Sequence, residues 1–207
     1  MRVMVFDTET TGFPLWGTPS DDPAQPHLVQ YTAVLFSLET QMELAFDTMI
    51  IRPDGWTIPE EASAHHHITT EQALEEGVPL RRAVNAYQAM LKHADQVSGF
   101  NLPFDFQIMR IAMLRCGMSK QYCTELRANM KTCDLMHKCA PLCRIPPTDK
   151  MMRAGRKTFK TPTLTEAMKI IMNETLDDAH DSRADVLATM RLYLHLNRRT
   201  APMAWTA

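Results

Sequence analysis

The stretch Val5-Phe6-Asp7-Thr8-Glu9-Thr10-Thr11-Gly12, VFDTETTG at residues 5–12, follows an apolar start from Arg2 to Phe6 and closes on a glycine. A short run of β-branched and bulky apolar residues ended by glycine reads as a buried strand rather than a helix. That reading sets Asp7 and Glu9 at the strand exit. Strand side chains alternate faces and rise about 3.3 Å per residue, so the two carboxylates project to one side, roughly 6.6 Å apart along the backbone. Two like charges at the rim of an apolar element repel and lose hydration unless a cation compensates them or one carboxyl stays protonated. Two solvated acids at a strand end are the plain alternative, and a two-acid motif alone does not decide between them.

The bulk composition narrows the classes. With 207 residues, 45% hydrophobic and 22% charged, the chain is expected to form one domain, residues 1–207, with a sizeable core. No apolar run approaches the roughly 18 residues of a membrane span, and the N-terminus lacks the flank and cleavage site of a signal peptide, so a cytoplasmic protein with no membrane partner is expected. Cys116, Cys123, Cys133, Cys139 and Cys143 make no compact even framework and point to reduced thiols. A net charge of −2 does not advertise nucleic-acid binding. Residues 144–160 are nevertheless basic, with Arg144, Lys150, Arg153, Arg156, Lys157 and Lys160 against Asp149.

Outward from the first strand, FPLWGTPSDDPAQPHL is dense in Pro, Gly and Asp and reads as a long surface loop, the kind that is often functional in a compact domain. LVQYTAVLFSLE and MELAFDTMII, separated by a few residues around Thr40, read as an antiparallel hairpin. From Ile58 the pattern is helical, with a capping box at Thr69 and Gln72 and an apolar stripe through Ala83, Tyr87, Met90 and Leu91. A strand QVSGFN precedes a helix LPFDFQIMRIAMLRCG, capped by Asn101 and ended by Gly117. On that helix Asp105 lies three, four and seven residues before Ile108, Met109 and Ala112, which turns its carboxylate toward the core from the first turn. KTCDLMHKCAPL reads as a short strand running into a helix, and CRIPPTDKMMRAGRKTFKTP as a flexible loop. A second capping box at Thr163 and Glu166 opens LTEAMKIIM, and a last helix from near Asp181 carries Val186, Met190 and Leu194 on one stripe. Strands first and then alternating helix and strand imply an α/β domain with a mixed sheet.

In AHDSRAD, Asp185 faces inward from the first turn of the last helix while His180 stays on its approach. Acids at inward-facing positions of three separate elements, Asp7 with Glu9, Asp105 and Asp185, present hard oxygen donors suited to Mg²⁺ or Mn²⁺. Two such ions about 3.5 to 4 Å apart bind both the attacking and the leaving oxygen of a phosphodiester. A histidine with an ordinary pKa of about 6.5 can take a proton from water near neutral pH.

FDTETTG, then NLPFD with Asn101 and Asp105, then HDSRAD with His180 and Asp185, resemble in order the three exonuclease motifs of the DnaQ-like family in its DEDDh branch, of which the polymerase III epsilon-type proofreading domain is an example. The resemblance spans Phe6 to about Leu196. It implies a ribonuclease H-like fold, a mixed five-stranded sheet flanked by helices, and removal of nucleotides from 3′ ends with two divalent ions. It implies metal ligation by Asp7, Glu9 and Asp185, a supporting metal role for Asp105, and His180 as general base. SAHHHIT is similar to the family's His-Gly-Ile-Thr stretch, which sets His66 near the terminal nucleotide and His67 in the usual glycine place. Thr8, Thr10, Phe13 and Asn101 complete the expected substrate contacts.

Blander roles stand beside some of these. Asn101 is equally a helix cap, and the aromatic loop with Phe13, Leu15 and Trp16 either stacks on bases or packs on its own domain. The triple histidine at residues 65–67 lacks Cys partners, and Cys133, His137, Cys139 and Cys143 match no paired zinc spacing, so buried thiols are expected. The basic segment 144–160 is a solvated loop or a grip on phosphates. The resulting expectation is a 3′-to-5′ exonuclease acting on single-stranded or frayed DNA ends. A ribonuclease of the same build, and a polymerase accessory module that binds nucleic acid, are the rivals. Because the chain ends at Ala207 soon after the last motif, no dedicated polymerase-docking extension is evident in it.

Overall fold

The computed structural model of the chain describes residues 1–176 and 182–197. At its centre lies β1 (Arg2–Thr10), in which Val3, Met4, Val5 and Phe6 are all buried. Burial on both faces suits a strand flanked by helices on either side. β1 pairs antiparallel with β2 (Leu28–Ser37), which in turn pairs antiparallel with β3 (Glu43–Ile50) as the expected hairpin. On its other edge β1 runs parallel to β4 (Gln96–Gly99), and β4 parallel to β5 (Thr132–Asp134). The five-stranded order is therefore β3-β2-β1-β4-β5. Parallel neighbours require long crossovers, and helices supply them.

α1 (Glu60–His66), α2 (Thr70–Glu76) and α3 (Leu80–His93) lie between the hairpin and β4, and α4 (Leu102–Arg115) and α5 (Lys120–Ala128) between β4 and β5. α6 (Leu135–Cys143), α7 (Asp149–Arg153), α8 (Leu164–Ala167) with a π-helical turn at Met168–Met172, and α9 (Ser182–Leu196) follow. Alternation along β1 divides the core. Met4 and Phe6 face α3 and α4, where Phe6 meets Tyr87 at 5.3 Å and Phe106 at 5.4 Å between ring centroids. Val3 and Val5 face the opposite layer, built from Leu135, Met168, Val186 and Leu192. The molecule is an α/β domain with a mixed sheet, as its alternation of elements indicates. Among the described residues no helix is long and apolar enough to cross a membrane.

Several local expectations are corrected. β1 does not end at Phe6: it pairs on through Asp7↔Thr32, Thr8↔Tyr31 and Glu9↔Gln30, because the backbone ladder is indifferent to side-chain charge. Asn101 precedes α4 with φ 69° and caps nothing with its side chain, since a side-chain cap needs an extended backbone there. Thr69 caps α2 by accepting from the Gln72 N–H, but Gln72 Nε2 reaches Glu76 instead of closing a box. The box at Thr163 and Glu166 is complete. The basic segment is not wholly a loop, for Thr148 caps the short α7 within it, and Lys160 is held by both carboxylate oxygens of Glu166 at 2.6 and 2.7 Å. The buried face of α9 runs through Ser182, Val186, Thr189, Leu192 and Tyr193, while Met190 and Leu194 are only half-buried. The expected helix start at Asp181 lies outside the described residues.

α1 ends on His67, exposed and left-handed at φ 63°. That is the position where the resembling family carries glycine, and the physical reason is on view: a Cβ is disfavoured there and its absence is not. His67→Gly is expected to raise unfolding stability by roughly 0.5 to 1 kcal/mol, read from the urea midpoint at unchanged slope. A lower midpoint would contradict it.

Candidate active site

A cavity of about 430 Å³ opens where the second half of β1 meets the start of α4, with α1 and α9 completing its wall. It lies beyond the carboxyl ends of the parallel strands β1 and β4, which is where open α/β sheets bind ligands. β1 contributes Asp7, Thr8, Glu9 and Thr10, α4 contributes Phe104 and Asp105, α1 contributes His65 and His66, and α9 contributes Asp185. The four expected carboxylates thus line one cavity from three elements. Their convergence depends on a close approach at Gly99, where a Cβ would stand 2.7 Å from Leu102 Cδ1 and 3.2 Å from the Phe6 carbonyl oxygen. Glycine lets the first turn of α4 settle against β1 and carries Asp105 with it.

The alternation of β1 aims its acids and hydroxyls differently. Thr8, buried on the α4 side, donates through Oγ1 to Asp105 Oδ1 at 2.8 Å. This bond fixes the orientation of a carboxylate that is only 2% exposed. Burial pushes the Asp105 pKa well above the usual carboxylate range, the charges of Asp7 and Glu9 push it further, and the Thr8 hydrogen bonds oppose them. Asp7 is pushed up to about 7, first by burial and then by the charge of Asp185, against a hydrogen bond from the Thr8 backbone. Like charges in a poorly solvated site favour the protonated form. Without a cation, therefore, this cluster holds protons near neutrality.

His66 is 5% exposed. Its Nδ1 accepts from the Ile68 N–H at 3.2 Å, which leaves the neutral ring's proton on Nε2. Nε2 is buried and makes no hydrogen bond of normal geometry, though the Thr10 backbone acts on it electrostatically. Burial above all, and then neighbouring His65, lowers its pKa, so the imidazole is an uncharged donor at the cavity wall. Phe13 is 84% exposed at the cavity rim and meets Phe104 edge-on at 6.2 Å.

Two of the expected contacts differ from expectation. Thr10 lines the cavity, but its hydroxyl is turned to the Gly12 carbonyl at 2.7 Å. Asn101 is not among the lining residues, and its backbone N–H donates to Asp134 Oδ1 at 3.1 Å. His180 lies outside the described residues. Phe104 and Glu61 line the cavity without having been singled out in the sequence. Phe104 carried a signal, since it directly precedes Asp105 in NLPFD, whereas Glu61 stands on α1 just ahead of the SAHHHIT stretch and outside every motif.

Among the described residues, no group of three His, Cys, Asp or Glu side chains forms a ready-made metal cage, and the cysteines are all unpaired. The donor chemistry nonetheless fits a hard divalent cation: oxygen-only donors, two of which burial and neighbouring carboxylates push toward the protonated form, are what a cation would relieve.

By sequence, the chain matches no family profile and no curated protein. By structure, it matches E. coli exonuclease I in complex with a dA16 oligonucleotide, with a TM-score of 0.69 and 18% identity over 96% of this chain and 41% of that one. Exonuclease I from Methylocaldum szegediense gives 0.67 and 20% over the same shares, and the zinc-bound E. coli exonuclease I complex with single-stranded DNA gives 0.67 and 18%. The fold is ribonuclease H-like. The chain spans about two fifths of the length of these exonuclease I chains.

The raised Asp7 pKa fixes the sign of a pH effect. Between the ordinary value of 3.8 and about 7 the folded protein keeps a proton that the unfolded chain has lost, so stability declines as pH rises through that window. Asp7→Asn is expected to flatten the decline and to stabilise the chelator-treated protein above pH 7 by roughly 1 to 3 kcal/mol, while Mg²⁺ raises the wild-type melting temperature more at the alkaline end. A melting temperature independent of pH across the window would contradict it.

Proposed function

We propose that the chain is a metal-dependent 3′-to-5′ exonuclease of the DnaQ-like, DEDDh type, acting on single-stranded or frayed DNA 3′ ends. The observation that carries this reading is the meeting of Asp7, Glu9, Asp105 and Asp185 in one cavity of a ribonuclease H-like fold. The motif order FDTETTG, NLPFD, HDSRAD supports it. So does the likeness to exonuclease I, which has been solved with dA16 and dT13 oligonucleotides and in a zinc-bound form.

Asp7, Glu9 and Asp185 would hold two Mg²⁺ or Mn²⁺ ions, with Asp105 in a supporting place. When bound, the ions supply Lewis-acid stabilisation of charge on the attacking and leaving oxygens. The protein's own residues do the rest. Thr8 keeps Asp105 from rotating away. Uncharged His66 places its ring in the wall beside the terminal nucleotide without adding a charge, and Phe13 with Phe104 offers an apolar surface for its base. His180, one residue before Asp181 in the third motif, takes the proton from the attacking water.

Matched single-stranded DNA and RNA, each labelled at the 5′ end and incubated with Mg²⁺ or Mn²⁺, test the reading. A ladder shortening from the 3′ end, faster on DNA, is expected. A faster RNA ladder would assign the protein to RNA ends instead, and no metal-dependent product from either strand would overturn the proposal. Asp7→Ala is expected to abolish cleavage. His180→Ala is expected to reduce kcat by roughly 10² to 10⁴, the scale of general-base loss, with metal binding retained. Unchanged turnover in either variant would refute the role assigned to that residue.

A further inference from the structure

A second concavity, of about 520 Å³, lies between the start of α3 and the end of α4. Arg52, Arg81 and Arg115 line it, with Asp54 as the single carboxylate in its wall. Their partners are neutral. Arg115 donates to the carbonyls of Pro26 at 2.6 Å and Gln25 at 2.5 Å, and Arg81 to that of Cys116 at 2.6 Å. Among the described residues no carboxylate stands within ion-pair distance of these guanidinium groups. Arg115 is half-buried, and withdrawal from water lowers its pKa. A partly desolvated cation without an anion is costly, and a guanidinium spends only some of its five N–H donors on one or two carbonyls.

The same cavity holds a flat π surface. The His27 ring stacks on Trp56 with centroids 4.5 Å apart and 12° between planes, and burial together with Arg115 keeps the imidazole uncharged. His27 also ties this cavity to the catalytic one. Its carbonyl accepts from the Thr11 N–H at 3.0 Å and its N–H donates to Thr11 Oγ1 at 2.9 Å, and Thr11 lines the catalytic cavity. Cations beside a stacked aromatic pair match phosphate and base together, the two chemistries of a single strand. An acidic peptide would use the cations alone.

We propose that this cavity is a second strand-binding site, where phosphodiester groups meet Arg52 and Arg81 and a base rests against the Trp56–His27 pair. It rests on the exonuclease reading for the identity of its ligand, and its occupant is the part of the strand upstream of the nucleotide being removed.

The test is fluorescence anisotropy of a long 5′-labelled oligothymidylate with chelator present, across a salt series, for the full chain, R52Q/R81Q and R52K/R81K. Arg52 and Arg81 are exposed, so both pairs of substitutions leave the core untouched. The glutamine pair is expected to weaken binding about tenfold and to lower the slope of log affinity against log salt by roughly 0.7 per lost contact, and the lysine pair to restore most of the slope. Unchanged affinity and slope in the glutamine pair would overturn the proposal. So would equal losses in both pairs, which would trace the effect to the bond with Cys116. Displacement of the oligothymidylate by polyglutamate at a lower concentration than by unlabelled DNA would reassign the cavity to an acidic protein segment and overturn it too. The readout is binding in chelator, so a failure to hydrolyse DNA would count against the exonuclease reading and leave this one standing.

Discussion

Asp7 stands where its charge raises the proton affinity of Asp105 and where the charge of Asp185 raises its own, and the fold is arranged to hold Asp7 and Asp105 there. Asp7 belongs to a strand whose preceding residues are buried on both faces, and Asp105 to a helix pressed against that strand at Gly99. Neither can withdraw without dismantling a core layer: Phe6, Tyr87 and Phe106 clasp one side of the strand, and Val186 and Leu192 cover the other. Repulsion among carboxylates is a stability cost carried by the rest of the packing. Such costs concentrate at functional sites.

The alternation of β1 explains how one short strand serves two purposes. Residues that face α4 end in Thr8, whose hydroxyl orients a carboxylate on another element. Residues of the other face end in the acids Asp7, whose charged neighbour is Asp185, and Glu9. Around them the cavity offers an uncharged histidine donor and an apolar rim, while the adjoining cavity offers cations and stacked rings. Negative and positive concavities separated by the Thr11–His27 contact give the surface a polarity that the net charge of −2 conceals.

Much of this was legible in the chain because periodicity and motif chemistry agreed. The hairpin, the mixed sheet and the inward turn of Asp105 follow from spacing, and the common destination of the four carboxylates is what the order of the three motifs and their family resemblance imply. What escaped was decided by contacts distant in sequence. The charges of Asp7 and Glu9 disguised a strand continued by its pairing with Tyr31 and Gln30. The expected stripe of α9 holds in part, with Val186 buried and Met190 and Leu194 packed half-buried against the same layer, but the buried face is also polar: Ser182 Oγ bonds Thr32 Oγ1 at 2.6 Å and Gln30 Oε1 at 2.7 Å, and Tyr193 bonds Gln96, so hydrophobicity alone does not find its centre. Asn101 resembled a cap, yet its left-handed backbone turns it to Asp134. The arginine-lined cavity gathers residues from positions 27 to 116 and has no linear signature.

The central claim is that divalent cations resolve the repulsion among these acids. The most direct test is calorimetric titration of the full chain with Mn²⁺ at neutral pH, with a nucleoside monophosphate present, beside Asp7→Asn. Two ions bound per chain with release of protons, and loss of that binding in the variant, are expected from carboxyls that hold protons until a cation displaces them. Absence of saturable binding, or binding indifferent to Asp7, would contradict the claim.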